Sequence, residues 1–370
     1  MKVLLVPCFT KDNPYQLCLA EGLKKYGVDV ILVSDIKGRL PLLKAVKLYG
    51  RPDIVHLQWI HGFIVSSGII KTIVKGFRFI LELVILKLKG IKLIHTVHNL
   101  LHHDRKHVLL ELLFRSIATR LYDCIIVHCD YARRIIAKTY RLSERDLKKI
   151  AVIPHGNYIK SYENTVSRSE ARRHLGLAED EIVFVYVGRI RPYKGLPHLL
   201  TSFMRLTLPT ARLIIAGKPS SDQLRRSIKD LAKRDPRIIL KLEFIPNSQI
   251  QIYLNAADVV VLPYKNILTS GSVILAMSFG KPVIAPRLGC IPELIEDDVG
   301  GFLYDPKNIN GLFEALTRAV QSRKRLPMLG KYNLNKIRRF NWMEIAKATL
   351  QLYRRCLWKE VRSTKTRTPV

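Results

Sequence analysis

The chain has 370 residues, enough for two domains of roughly 100 to 200 residues, each with its own core, and too many for a single small module. Hydrophobic residues at 48% and charged residues at 25%, with Gly and Pro scattered, exclude fibrous and disordered classes. The 62 Lys and Arg against 30 Asp and Glu leave a net charge of +32, which calls for an anionic partner: phosphate, nucleic acid or an acidic membrane surface.

The chain opens with an apolar run over residues 2 to 8, read as a buried strand. It meets Pro7 and then the polar Thr10 to Asn13, so it lacks a signal peptide's long apolar region. Asn13-Pro14-Tyr15-Gln16 follows that strand and opens a helix. Short runs rich in Val and Ile recur at Val28 to Val33, Ile54 to Leu57, Lys92 to Val97, Cys124 to Val127 and Ile150 to Ile153, spaced by helix-length segments. That alternation predicts a parallel sheet covered on both faces. Within the greasy stretch from Ile64 to Leu88, five charged residues intervene before about 20 apolar ones accumulate, so it is not a bilayer span. On a helix over 64–89, Lys71, Lys75 and Arg78 share one face with Ile70, Ile73, Val74 and Phe77 around them. The pattern suits contact with anionic lipid headgroups, and equally a core helix with a charged outer face.

After the fourth strand comes His95-Thr96-Val97-His98-Asn99, then His102-His103-Asp104. Imidazole and carboxylate are the groups able to take a proton from a hydroxyl near neutral pH, which makes His98 the candidate base and Asp104 the runner-up. Asp104 is equally a helix N-cap, since Arg105 to Leu113 reads as helix. No carboxylate or thiolate set accompanies the histidines, so no metal is expected. The six cysteines fall singly, without zinc spacing, and fit a reducing cytoplasm.

A polar linker near 155–168 divides a first domain, 1–160, from a second, 161–338, with 339–370 as a C-terminal helix and basic tail. The second domain repeats the strand rhythm at Ile182 to Val187, Ala211 to Ala216, Ile238 to Phe244, Val259 to Leu262 and Pro282 to Ala285. In open parallel sheets, ligands bind beyond the carboxyl ends of strands, where helix N-termini present free amides. One such turn, Val187-Gly188-Arg189-Ile190-Arg191-Pro192-Tyr193-Lys194-Gly195, brings cations to one ligand edge, as a diphosphate requires. Another, Asn266 to Ser272, ends in Ser270-Gly271-Ser272 before an apolar helix, where small residues let amides close on an anion. Taken singly, the first could be a solvated basic turn and the second a plain N-cap.

Together with Gly280-Lys281-Pro282-Val283-Ile284, Ala211 to Gly217, Ala256 to Tyr264 and Phe340-Asn341-Trp342, these segments resemble the GT-B fold glycosyltransferases, especially glycosyltransferase family 4 (group 1). The resemblance implies two Rossmann-like, doubly wound α/β domains facing across a cleft, with the last helix crossing back to the first domain. It implies that Arg189 and Lys194, with Gly188, bind the donor diphosphate, helped by the backbone of Ser270, Gly271 and Ser272. Phe244 and Ile245 fall where the family seats the base, with core packing as the alternative. Asn13, Tyr15 and Gln16 resemble a family segment near the cleft, where His98 and Asn99 also belong. The family's two glutamates, seven residues apart, fall here at Ile267 and Leu275, so this is a divergent branch whose stereochemistry stays open.

The function expected is metal-independent transfer of a hexosyl group from GDP-mannose or a UDP-sugar to a lipid-linked or polysaccharide-precursor glycan. The enzyme would sit on the cytoplasmic membrane face through Lys71, Lys75 and Arg78, with no separate cofactor. An epimerase of the same fold and a non-catalytic binder are the alternatives. Nucleic acid is not expected, because no helix-turn-helix, RRM or KH pattern appears and aromatics do not interleave with the cations.

Overall fold

Short Val- and Ile-rich runs separated by helices can bury both of their faces only as parallel strands between two helical layers. The computed structural model shows that arrangement twice, over the described residues 1–9, 13–34, 38–102 and 106–364, with side chains described as far as Trp358. One unit comprises 1–156 and 340–370, the other 157–339.

The first unit has strands β1 (Lys2–Val6), β2 (Asp29–Leu32), β3 (Ile54–Leu57), β4 (Lys92–Thr96), β5 (Cys124–Val127) and β6 (Ile150–Val152). They run parallel in the order β2-β1-β3-β4-β5-β6. The second has β7 (Ile182–Val187), β8 (Ala211–Ala216), β9 (Ile238–Lys241), β10 (Val259–Val261), β11 (Val283–Pro286) and β12 (Gly301–Tyr304), in the order β12-β11-β10-β7-β8-β9. β12 is absent from the sequence reading, because its four residues open on the second of two glycines and follow an acidic turn. β9 stops at Lys241, short of the Phe244 expected. The helix expected over 64–89 is two helices, His61–Ile64 and Ile69–Leu88, parted where Val65 and Gly68 turn extended.

In each sheet the order reverses once, between β1 and β3 and between β7 and β10, and these switch points are where open α/β sheets receive ligands. The Arg168–His174 helix of the second unit starts with a full capping box, Ser167 and Glu170 each satisfying the other's backbone amide.

The last helix, Trp342–Thr364, packs on Tyr15–Lys25 within the first unit. Ile345, Ala346, Leu350, Leu352 and Tyr353 join Leu19 and Leu23 in its core, each large side chain worth about 1.5–3 kcal/mol of burial. The approach needs Gly22, where an added Cβ would lie 2.8 Å from that of Ala346. Cys356 of this helix is disulfide-bonded to Cys124 at the start of β5, which corrects the sequence picture of six isolated cysteines. Residues 232 apart in sequence give no local signal of such a bond.

Candidate active site

In the second unit the turns after β7 and β10 meet at the switch point. Gly188 and Gly195 bound the first turn with φ of 136° and 72°, backbone that only glycine adopts readily. Gly195 is further fixed by proximity, since a Cβ there would come within 2.0 Å of the Pro263 carbonyl oxygen. The Tyr193 carbonyl accepts from the Lys265 amide at 2.8 Å, tying the two turns together.

Lys194 closes the short 3-10 turn Pro192–Lys194, and its ammonium donates to the Tyr264 hydroxyl at 3.3 Å while lying 4.5 Å from that ring's centre. Tyr264 Oη in turn lies 2.7 Å from Ser270 Oγ, which also accepts from the Val273 amide and caps Gly271–Ser278. Lys194, Tyr264 and Ser270 therefore form one bonded chain from the cationic turn to the helix N-terminus. Burial pulls the Lys194 ammonium down, but the oxygens of Tyr264, Tyr186 and Tyr193 outweigh it and hold the group above its ordinary value, charged at neutral pH. Helix geometry leaves the first-turn amides of Gly271 and Ser272 without a carbonyl one turn earlier. Arg189 is exposed, its main chain pinned by the Tyr186 hydroxyl donating to its carbonyl at 2.7 Å.

The structure divides Phe244 from Ile245: the ring is exposed and the aliphatic side chain buried in the core. They follow β9, two strands from β7, so the bonded chain does not reach them. Leu275 is buried and Ile267 half-buried, which leaves apolar groups where the resemblance puts carboxylates. Tyr264 and Tyr193 do not stand out in the sequence; Tyr264 lies three residues past the buried end of β10, opposite Lys194.

In the first unit the carboxyl ends of β4, β5 and β6 bring His98, His128 and His155 around Tyr15, and His56 on β3 joins them through Gln58. The Tyr15 ring centre lies 4.9 Å from that of His98, 5.7 Å from His128, 4.8 Å from His155 and 5.3 Å from Trp342. Trp59 stacks on His98 at 4.3 Å, nearly parallel. Gln58 assigns the tautomers: its Oε1 lies 2.8 Å from His98 Nε2, and its Nε2 3.1 Å from His56 Nε2. His98 Nε2 therefore carries the hydrogen and donates to Gln58 Oε1, leaving the lone pair on Nδ1. His56 Nε2 lies 2.7 Å from the Thr96 hydroxyl oxygen, and its Nδ1 lies 2.7 Å from Tyr353 Oη.

Burial, reinforced by His128, His155, His95 and His56, pushes His98 well below the ordinary histidine range. Burial likewise lowers His56, His95 and His155 to about 3 and His128 to about 4. His128 donates Nδ1–H to the Ile153 carbonyl, and its buried Nε2 has no hydrogen-bond partner. The cluster consists of neutral imidazoles that present lone pairs, suited to receiving hydrogens from hydroxyl groups. None of His56, Gln58, His128 or Tyr353 stood out in the sequence, because they lie on separate strand ends and a distant helix.

Gln16 is buried with both ends of its amide engaged, donating to the Pro7 carbonyl and accepting from the Phe9 amide, so it shapes the loop after β1. Asn13 Oδ1 accepts from the Tyr15 amide at the helix start, and Asn99 is half-buried beside His98. Asp104 lies outside the described residues. Among the described residues, no three His, Cys, Asp or Glu side chains group to hold a metal ion. Nor is any helix there long and apolar enough to cross a membrane.

Residues 13–157 match the family model for Glycosyltransferase Family 4, and residues 167–336 that for Glycosyl transferases group 1. The chain is 28% identical to a GDP-mannose:glycolipid 4-beta-D-mannosyltransferase of Xanthomonas campestris, covering 76% of this chain and 75% of that protein. It is 31% identical to a D-inositol 3-phosphate glycosyltransferase of Saccharomonospora viridis, over 52% of this chain and 47% of that one. In fold it is similar to sucrose-phosphate synthase from Thermosynechococcus elongatus, with a TM-score of 0.78, 20% identity, and 96% and 98% of the two chains covered. Anabaena HepE in complex with UDP-glucose gives 0.75 at 17% identity, covering 95% and 98%. With two successive glycosyltransferase families matched along its length and two parallel-sheet units of Rossmann type, this chain is a GT-B fold glycosyltransferase related to group 1 and family 4.

Proposed function

We propose that the enzyme transfers a hexosyl group from a nucleoside diphosphate sugar, GDP-mannose or a UDP-sugar, to a lipid-linked glycan at the cytoplasmic membrane face. The observation that carries the donor reading is the bonded chain of Lys194, Tyr264 and Ser270, which aims an ammonium and a helix N-terminus at one switch point. When the bond from the anomeric carbon to the phosphate oxygen breaks, negative charge grows on the departing diphosphate. Lys194, Arg189 and the amides of Gly271 and Ser272 stabilise that charge more than the ground state. Phe244 offers an exposed ring as a platform for the base.

The acceptor hydroxyl forms the new bond to the anomeric carbon and gives its proton to His98 Nδ1. Because His98 is a weak base, the transfer accompanies bond formation. Tyr15 and Asn99 flank the acceptor. The similarity to the Xanthomonas GDP-mannose:glycolipid mannosyltransferase supports both donor and lipid acceptor. Lys71, Lys75 and Arg78 provide the charge that draws the enzyme to an anionic surface.

Radiolabelled GDP-mannose, UDP-glucose and UDP-galactose, each incubated with and without extracted lipid, test the reading. Label entering lipid from one donor supports it. Isomerised donor, or no turnover from any of them, overturns it.

A further inference from the structure

On the Ile69–Leu88 helix the buried residues are Thr72, Gly76, Phe79, Glu82, Leu83 and Leu86. The opposite face of a surface helix is ordinarily polar. Here it is Ile70, Val74, Phe77, Leu81, Val84 and Leu88, a stripe of alternating four- and three-residue steps, with Ile70 73% exposed, Phe77 65% and Leu88 83%. The neighbouring Val108–Leu121 helix repeats the pattern with Leu109, 82% exposed, Leu113 and Ile117. The helices lock together where the Phe114 ring fills the space beside Gly76, and Phe77 sits edge-on to Phe114 at 5.4 Å. The two packed helices thus expose these nine large apolar side chains, of a kind monomeric soluble proteins rarely gather in water.

Charge at this face has one sign. The acidic residues of the two helices are both turned inward: Glu82 accepts from the Leu42 and Leu43 amides, and Glu111 pairs with Arg115 at 2.8 Å. The exposed charged side chains of the helices are Lys71, Arg78 and Arg120, all cationic and flanking the apolar stripes. Lys75 is half-buried, its ammonium donating to the Gly62 and Val65 carbonyls, so it caps the preceding turn while adding to the field. A second copy of the chain would bring the same cations against these, whereas an anionic lipid surface neutralises them.

We infer that this two-helix face enters the interfacial zone of an anionic membrane, its apolar stripes lying among the upper acyl carbons and its cations at the phosphate level. This rests on the membrane reading above and changes its basis. The cations recruit the enzyme, and the apolar side chains, including those of the second helix, hold it.

The test uses the full chain with vesicles of equal phosphatidylglycerol and phosphatidylcholine. Wild type should sediment with them and retain part of that binding in 1 M NaCl, where the screening length is about 3 Å. Phe77→Ser/Leu81→Ser/Leu113→Ser should lose on the order of 100-fold in partitioning, together with the salt-resistant fraction. Its melting temperature should fall only slightly, because Leu81 and Leu113 are exposed and Phe77 gives up a single edge-on ring contact. The indole introduced by Phe77→Trp should be quenched by phospholipids brominated near the top of the chains. Unchanged partitioning of the triple variant, complete release of wild type by salt, or an indole of the Phe77→Trp variant that stays unquenched overturns the inference. So does a wild-type dimer that the triple variant dissolves while vesicle binding stays the same. Nucleotide release from a labelled donor given detergent-dispersed extracted lipid, with no vesicles present, reads the donor assignment separately: its absence in wild type would sink that assignment and leave the vesicle result standing.

Discussion

Acid should undo the first unit before the second, for a reason set by its histidines. His56, His95, His98, His128 and His155 are held neutral by burial, far below the range they have in an unfolded chain. Groups whose pKa is lowered by folding contribute stability that is present above their unfolded value near 6.5 and lost as pH falls below it. At pH 5.5 the unfolded chain gains about 1.4 kcal/mol from protonating each of them, and five together approach about 7 kcal/mol. That is comparable to the whole stability of an ordinary domain. All three tryptophans, Trp59, Trp342 and Trp358, lie in the first unit, whereas the second holds only His174 and His198 of the 11 histidines. Urea unfolding followed by tryptophan fluorescence therefore reports this unit alone. Its midpoint should fall steeply between pH 7.5 and 5.5, and His128→Gln should reduce the slope by about one proton. A tryptophan-detected midpoint that stays level across that interval would refute the reasoning.

Four further outcomes follow from the site and its supports. Lys194→Ala and Arg189→Ala should each lower donor turnover by about 10- to 100-fold, the equivalent of one charge-assisted contact, read as nucleotide release. Tyr264→Phe, which keeps the ring and removes the hydroxyl between Lys194 and Ser270, should cost several-fold in the same assay, and an unchanged rate would separate that hydroxyl from donor binding. Gln58→Glu places a carboxylate on His98 Nε2–H and favours the imidazolium, so the acidic limb of the rate–pH profile should move up by a unit or more; an unmoved limb would dissociate His98 from proton transfer. Burial raises Glu82 to about 7 against the pull of two backbone amides, so, against the larger rise supplied by the histidines, the wild type forfeits this one group's contribution as pH rises from about 4.5 to 7. Glu82→Gln should gain on it over that window and level off above, as measured by thermal melts.

The strands were largely legible because buried parallel strands are unbroken apolar runs, and eleven of the twelve can be read directly from the chain. β12 escaped because a four-residue strand that opens on the second of paired glycines carries too little pattern. The two turns proposed to hold the donor diphosphate could be located from cations and small residues at strand ends. Tyr264, which binds them together, could not, since a tyrosine beside a strand reads as core. The histidine cluster was partly visible at His98 and otherwise hidden: His56, His128, His155 and Tyr353 are brought together only by strand order and by a helix some three hundred residues away. The outer face of Ile69–Leu88 was misleading in a different sense. Periodicity shows that a helix has a stripe, and only the fold shows that a second apolar stripe lies on the side away from the core.

The return of Trp342–Thr364 to the first unit bears on how the protein is made. During synthesis the amino-terminal sheet emerges early, yet Tyr15–Lys25 waits for a partner encoded more than three hundred residues later, and His56 waits for Tyr353. The intervening 157–339 segment can reach its native state first, as a contiguous insert between two halves of its neighbour. Any early stop before Phe340 would leave the opening half with a bare greasy helix flank, a substrate for chaperones and proteases rather than a usable fragment.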